Sequence, residues 1–232
     1  MNEAREDVIQ DFAGFSDRPE SPFYCSPGIS AVETWDRSVD LMAILLLELP
    51  AVVQEPGFQF TPDLLCRWHG RIFGSLFPDE AGRLRWRRDG DWDHVYFGGN
   101  VGTVRSRRTK EYRGVHPQKL RKRLEEICDE FNEARRGFIE AEPGAVSVND
   151  AAYAVARLYA KLLRAHPWAD GNLRVAFVAL HAALLALDLP RVKFPDLELH
   201  DDLIGIAFRN DNEPYLQLAN YIADYIRDEL GS

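Results

Sequence analysis

Two stretches of this chain, residues 151–165 and 172–187, carry Ala, Val, Leu and aromatic side chains almost all the way round a helix. A helix without a polar face has no side to offer water, so both must be central and buried. Whatever else the chain does, it has to wrap other helices around these two. Helical spacing returns at several places. Leu64, Leu65, Trp68, Ile72, Phe73 and Leu76 recur at three and four residues. They follow Thr61-Pro62-Asp63, a cap with proline in the first helical position. Leu120, Leu124, Ile127, Cys128 and Phe131 share one face of a helix running from Pro117 to about Ala134. The sequence predicts a further helix from Ser30 to Leu49, ended by Pro50. Ser147-Val148-Asn149-Asp150 reads as a capping-box variant for the helix at 151–165. Two more helices close the chain at roughly 199–209 and 213–229.

Between Arg83 and Arg113 the pattern changes. His94-Val95-Tyr96-Phe97 and Val101-Gly102-Thr103-Val104 are short β-prone runs, and Gly98-Gly99-Asn100 between them predicts a β-hairpin on the outside of the molecule. Gly98 to Gly102 is not a phosphate loop, because no Lys-Ser/Thr ending follows. Residues 1–29, broken by Gly14, Pro19, Pro22, Pro27 and Gly28, read as a partly irregular arm. The expected class is therefore mainly α, with one domain over 30–232 carrying a hairpin.

Charge is distributed unevenly. The net value is −9, from 28 basic and 37 acidic residues, which argues against wholesale binding to nucleic acid or membrane. From Arg83 to Arg123, however, 13 basic residues face 4 acidic ones, a balance of +9, leaving 15 against 33, or −18, elsewhere. A basic segment on an acidic body points to a local site for something anionic; a solvated charged face is the alternative. Cys25, Cys66 and Cys128 are odd in number and form no CxxC pair, as expected for thiols in a reducing cytoplasm. The opening MNEAREDVIQDF has no apolar core like that of a signal peptide, and the longest apolar run, Leu41 to Leu47, is too short to span a bilayer.

The chemistry is expected between the two apolar helices, at His166-Pro167-Trp168-Ala169-Asp170-Gly171-Asn172-Leu173-Arg174. A polar, charged turn squeezed between buried helices is where a site should be sought. His166 closes one helix and can take a proton near neutral pH. Asp170 is a hard oxygen ligand suited to Mg²⁺, or else the cap of the next helix. Gly171 and Asn172 open that helix, whose backbone N–H groups form an anion site, and Arg174 adds a fixed positive fork. A base, a metal ligand, an anion cradle and an arginine within nine residues suit phosphate-group transfer.

This run resembles the motif of the Fic family, His-Pro-Phe-x-Asp/Glu-Gly-Asn-Gly-Arg-x-x-Arg. Trp68 to Pro78 and Ala81-Gly82-Arg83-Leu84-Arg85 resemble the family's upstream helix and its Ala-Gly-x-x-Arg turn. Phe208 to Tyr215 resembles its closing helix-turn-helix, so the likeness runs from about 40 to 228. It implies a Fic-like helical bundle that transfers AMP, or another nucleotidyl group, from ATP onto a hydroxyl of a protein or small molecule with Mg²⁺. It also implies His166 as general base, Asp170 as Mg²⁺ ligand, and Gly171, Asn172, Leu173 and Arg174 at the phosphates. Asn210 would lie near the nucleotide base, although the accompanying Tyr is Leu203 here. Residues 86–108 would form the flap that aligns the target, with Arg83 or Arg85 at the root of a target-side wall and Arg105, Arg107 and Arg108 on it. Trp168, in place of the family's Phe, would anchor the loop in the core.

Three departures widen the expectation. Leu173 stands where the family has its second Gly, and Phe177 where it has its second Arg. The inhibitory Ser/Thr-x-x-x-Glu-Gly/Asn motif of many members does not occur in the chain. The resemblance therefore leaves open a Doc-like kinase, a phosphocholine-type transferase and a nucleotide-binding protein without turnover. It also leaves open an enzyme without built-in restraint, one held by a separate regulatory protein, and one with an unusual donor.

Overall fold

The computed structural model describes residues 31–78, 81–85, 103–105, 111–113, 115–142, 145–168, 171–194, 197–208 and 213–231. It is mainly helical. The helices are α1 (Ala31–Val53), α2 (Pro62–Phe73), α3 (Leu120–Glu140, entered through a 3-10 turn at Pro117–Lys119), α4 (Val148–Ala165), α5 (Asn172–Leu185), α6 (Leu197–Ala207) and α7 (Leu216–Gly231). The two all-apolar stretches are α4 and α5, and they lie at the centre. α4 packs against α3, α5 and α7, while α1 and α2 cover α5 from the other side. From Asn172 to Leu184 every residue of α5 except Leu173 is buried.

Local signals placed several ends correctly. Thr61 caps α2 by accepting the Leu64 N–H at 3.1 Å, with Pro62 behind it. Ser147 and Asp150 form a reciprocal capping box at the start of α4, at 3.2 and 3.1 Å. Pro50 did not end α1, which continues to Val53. A proline within a helix leaves the carbonyl four residues earlier without its donor. Here that carbonyl is Leu46 O, and the Arg191 guanidinium donates to it at 3.3 Å from the far side of the fold. The helix expected to stop near Ala134 runs on to Glu140.

The described β structure is a short antiparallel ladder, β1 (Thr103–Arg105) with β2 (Glu111–Arg113), in the register Thr103 to Arg113, Val104 to Tyr112 and Arg105 to Glu111. It pairs the segment around Val104 with residues after it. The expected partner at 94–97 and the Gly98-Gly99-Asn100 turn lie outside the described residues, as does the arm over 1–29. Among the described residues no helix is long and apolar enough to cross a membrane.

Candidate active site

α4 stops because of its last two neighbours. His166 takes a left-handed conformation, φ 49° and ψ 62°, while its N–H still reaches Leu162 O at 3.2 Å. Pro167 then bars any return to the helix. A left-handed histidine costs roughly 1–2 kcal/mol, so something must hold it there. Arg85 does. Its guanidinium donates to Ala165 O at 3.2 Å and to the carbonyls of His166 and Val115, while its own N–H donates to Pro167 O at 2.8 Å. The Val115 N–H in turn donates to Ala165 O at 3.4 Å. One cation thus collects the carbonyls that the end of α4 leaves without helical partners, at the negative end of that helix. Arg85 is only 5% exposed, and burial lowers its pKa to about 10, which leaves it charged at neutral pH.

His166 itself keeps part of its surface accessible. Its ring pKa is pushed down to about 3, first by desolvation and then by the positive charge of Arg85. At neutral pH the imidazole is therefore uncharged, and it titrates well below the near-neutral range expected from the sequence.

Across the turn, Gly171 precedes α5 in a left-handed conformation, φ 73° and ψ 8°. The first-turn N–H groups of α5 aim back along its axis toward the turn, as at any helix N-terminus that receives an anion. Asn172 closes the loop onto itself. Its Nδ2 donates to Trp168 O at 2.8 Å, and its Oδ1 accepts from the Trp168 N–H at 2.9 Å. Trp168 is 1% exposed and stacks on His69, centroids 5.0 Å apart at 15°. His69 Nδ1 accepts the Gly82 N–H at 2.8 Å, which ties the turn before Arg85 to the same stack. Arg174 is buried, with its guanidinium carbon 5.7 Å from the centre of the Phe73 ring.

The model of the Fic/DOC family matches residues 59–184, which is 126 of the 232 residues. The chain belongs to the Fic/DOC family. Its fold is similar to that of a Fic domain containing signaling protein from Bacteroides thetaiotaomicron. There the TM-score is 0.65 and the identity 14%, over 99% of this chain and 87% of that one. It is also similar to the N-terminal FIC domain of Bep8, a VirB-translocated effector of Bartonella sp. 1-1C. That match has TM-score 0.65 and 17% identity, covering 91% and 94% of the two chains. BepC from Bartonella tribocorum, solved with bound AMPPNP, matches at TM-score 0.61 and 16% identity, over 87% of this chain and 90% of that. At these identities the likeness is one of fold. No curated protein sequence matches at comparable stringency.

In this Fic fold the motif residues that are described, His166, Gly171, Asn172, Leu173 and Arg174, all lie at the junction of α4 and α5. Asp170, Asn210, Arg107 and Arg108 lie outside the described residues, and of Arg105 only the backbone is described, in β1. Arg83 or Arg85 was expected at the root of a target-side wall, and Arg85 is an interior residue whose guanidinium donates to the carbonyls of Ala165, His166 and Val115. Phe177, at the family's second-Arg position, is fully buried and meets the His181 ring edge-on at 4.4 Å. Sequence reading missed Phe73 as the wall beneath Gly171 and Arg174, and His69 as the stacking partner of Trp168. Both sit on the apolar helix face of α2, where nothing distinguishes them from ordinary core.

Proposed function

We propose that this Fic protein transfers AMP, or another nucleotidyl group, from ATP to a hydroxyl of a protein or small molecule in a reducing cytoplasm, where Cys66 and Cys128 stay free thiols. The observation that carries the reading is the pairing of an uncharged His166, fixed in a left-handed turn, with the N-terminus of α5 at Gly171 and the buried guanidinium of Arg174. The acceptor oxygen attacks the α-phosphorus, the bond to pyrophosphate breaks, and the hydroxyl proton passes to an imidazole nitrogen of His166. Helix N–H groups and Arg174 receive the phosphate charge that builds up in the transition state. AMPPNP in the Bartonella tribocorum relative supports a nucleotide of this kind in the fold.

Mg²⁺ at phosphates needs only one or two carboxylates besides the phosphate oxygens. Asp170, next to Gly171, would hold the ion, which when bound neutralises phosphate charge. Asn210 would meet the nucleotide base, and Arg105, Arg107 and Arg108 would serve the target side.

A second reading, phosphoryl transfer or nucleotide binding without turnover, is favoured by one observation. Phe177 leaves Arg174 as the motif's one arginine, and Leu173 adds a half-buried side chain beside it. Product analysis separates the three: pyrophosphate release from ATP means nucleotidyl transfer, ADP means phosphoryl transfer, and neither means binding alone. His166→Ala should lower transfer by about 10²–10⁴-fold without unfolding the chain. Wild-type rates in that variant would remove His166 from the chemistry.

A further inference from the structure

The basic stretch that begins at Arg83 ends at Arg123 on α3, and there it meets cations from the last turns of α4. Arg123, Lys161 and Arg164, together with Val115, Ala165 and Tyr215, line a cavity of about 400 Å³. That lies within the range of small-molecule sites, roughly 300–1,000 Å³. Lys161 and Arg164 are three residues apart on one helix, so they project from the same side of α4. Lys161 also lies over the Tyr215 ring, 5.9 Å from its centre.

The positive charge here exceeds its local compensation. Glu126 accepts from Arg123 at 2.8 Å. Glu130 is shared by Lys161 and Arg157. Arg164 makes no ion pair with any described residue. Among the described residues, three cations line the cavity with Arg157 beside Lys161, and Glu126 and Glu130 are the carboxylates paired with them. The pKa of Lys161 is lowered to about 8, by burial first and then by the charges of Arg157 and Arg123. Basic residues in a helix's last turn answer its dipole. That accounts for Arg164 alone, and not for an open cavity or for Arg123 arriving from α3.

We propose that this cavity is a binding site for a phosphate-bearing small anion, distinct from the cradle at the start of α5. Arg123 and Arg164 offer planar forks that match phosphate oxygens, and Lys161 adds a compact charge to the same lining. Tyr215 and Val115 give the occupant an apolar wall. Because Ala165 belongs to the lining, the anion rests against the turn that carries His166. The site does not depend on which group the protein transfers.

The test titrates the full chain with inorganic pyrophosphate by calorimetry, at low and at physiological salt. Binding should weaken at least about ten-fold in Arg164→Gln and in Arg123→Gln, and less in Arg164→Lys, which keeps the charge and loses the fork. The two substitutions come from different helices, so misfolding of one leaves the other to decide. Affinity should also fall between pH 7 and 9 as Lys161 loses its proton. The charged groups facing it are Arg123, Arg157, Arg164, Glu126 and Glu130. A second titration compares AMP with inorganic phosphate. Tighter AMP binding, lost in the same variants, identifies a nucleotide phosphate, and equal binding identifies free phosphate. No pyrophosphate binding by the wild type would overturn the proposal. So would binding that is lost in Arg174→Gln and untouched in Arg164→Gln, since the anion would then sit in the motif cradle.

Discussion

A Cβ placed on Gly171 would stand 2.1 Å from Cε2 of Phe73 and 2.4 Å from its Cζ, and the φ of +73° already disfavours any residue that has one. Phe73 has little room to yield. Its ring meets His69 at 4.8 Å and Phe77 at 6.0 Å, and Arg174 lies over its face. Gly171→Ala should therefore cost about 2–4 kcal/mol, the sum of a left-handed penalty and overpacking, measured by urea unfolding. The same change in a Phe73→Leu background should cost clearly less, because the two sites are in contact. A loss below about 1 kcal/mol in the single variant would show that Phe73 can swing aside. At this scale the sequence disclosed the chemistry-bearing residues of the turn, since His, Gly, Asn and Arg between apolar helices stand out. It did not disclose what presses on them, because Phe73 and His69 occupy positions that helical spacing assigns to the core.

The turn between α4 and α5 is secured by a residue 81 positions earlier, because Arg85 donates to the His166 carbonyl. Arg85→Met removes the donors for three carbonyls and should cost about 2–4 kcal/mol in chemical denaturation. It also removes the charge that, after burial, holds the His166 pKa down. The ring's titration followed by NMR should therefore move upward in the variant. A substitution that cost stability and left that titration in place would show that Arg85 acts on the backbone alone. Helices were legible from their periodicity, and two N-termini from their caps, because those signals are local. The end of α1 was not, since the donor that lets the helix pass Pro50 comes from Arg191, 145 residues from the carbonyl it serves. Strand pairing was not legible either. Alternation marks a strand without naming its partner, and β1 pairs with Glu111–Arg113.

At the scale of the whole molecule, two histidines at the centre set how the fold responds to acid. His181 is buried on α5 beside Phe177, neither ring nitrogen has a hydrogen-bond partner among the described residues, and burial with the nearby Arg191 charge lowers its pKa to about 3. Its folded-state pKa, like that of His166, lies below the unfolded value near 6.5. The unfolded chain thus binds more protons between these limits, so stability is intact above about pH 6.5 and is lost as pH falls toward 3. Each group contributes at most about 1.4 kcal/mol per pH unit in that window. His181→Leu should raise stability at pH 7 by about 1–3 kcal/mol and lower the acid slope by up to one proton, read from urea midpoints between pH 7 and 4. An unchanged slope would mean that His181 finds a partner or solvent in the folded state. The Arg85 clamp has its own consequence at this scale. Arg85 and Val115, joined through the guanidinium, bring together the two ends of the segment 86–114. The scaffold therefore fixes where that segment leaves and where it returns, and both points lie against the turn that carries His166. Because the cost of closing such a segment grows only slowly with length, by about 0.6 kcal/mol for each doubling, the two anchor points stay in place whatever number of residues runs between them.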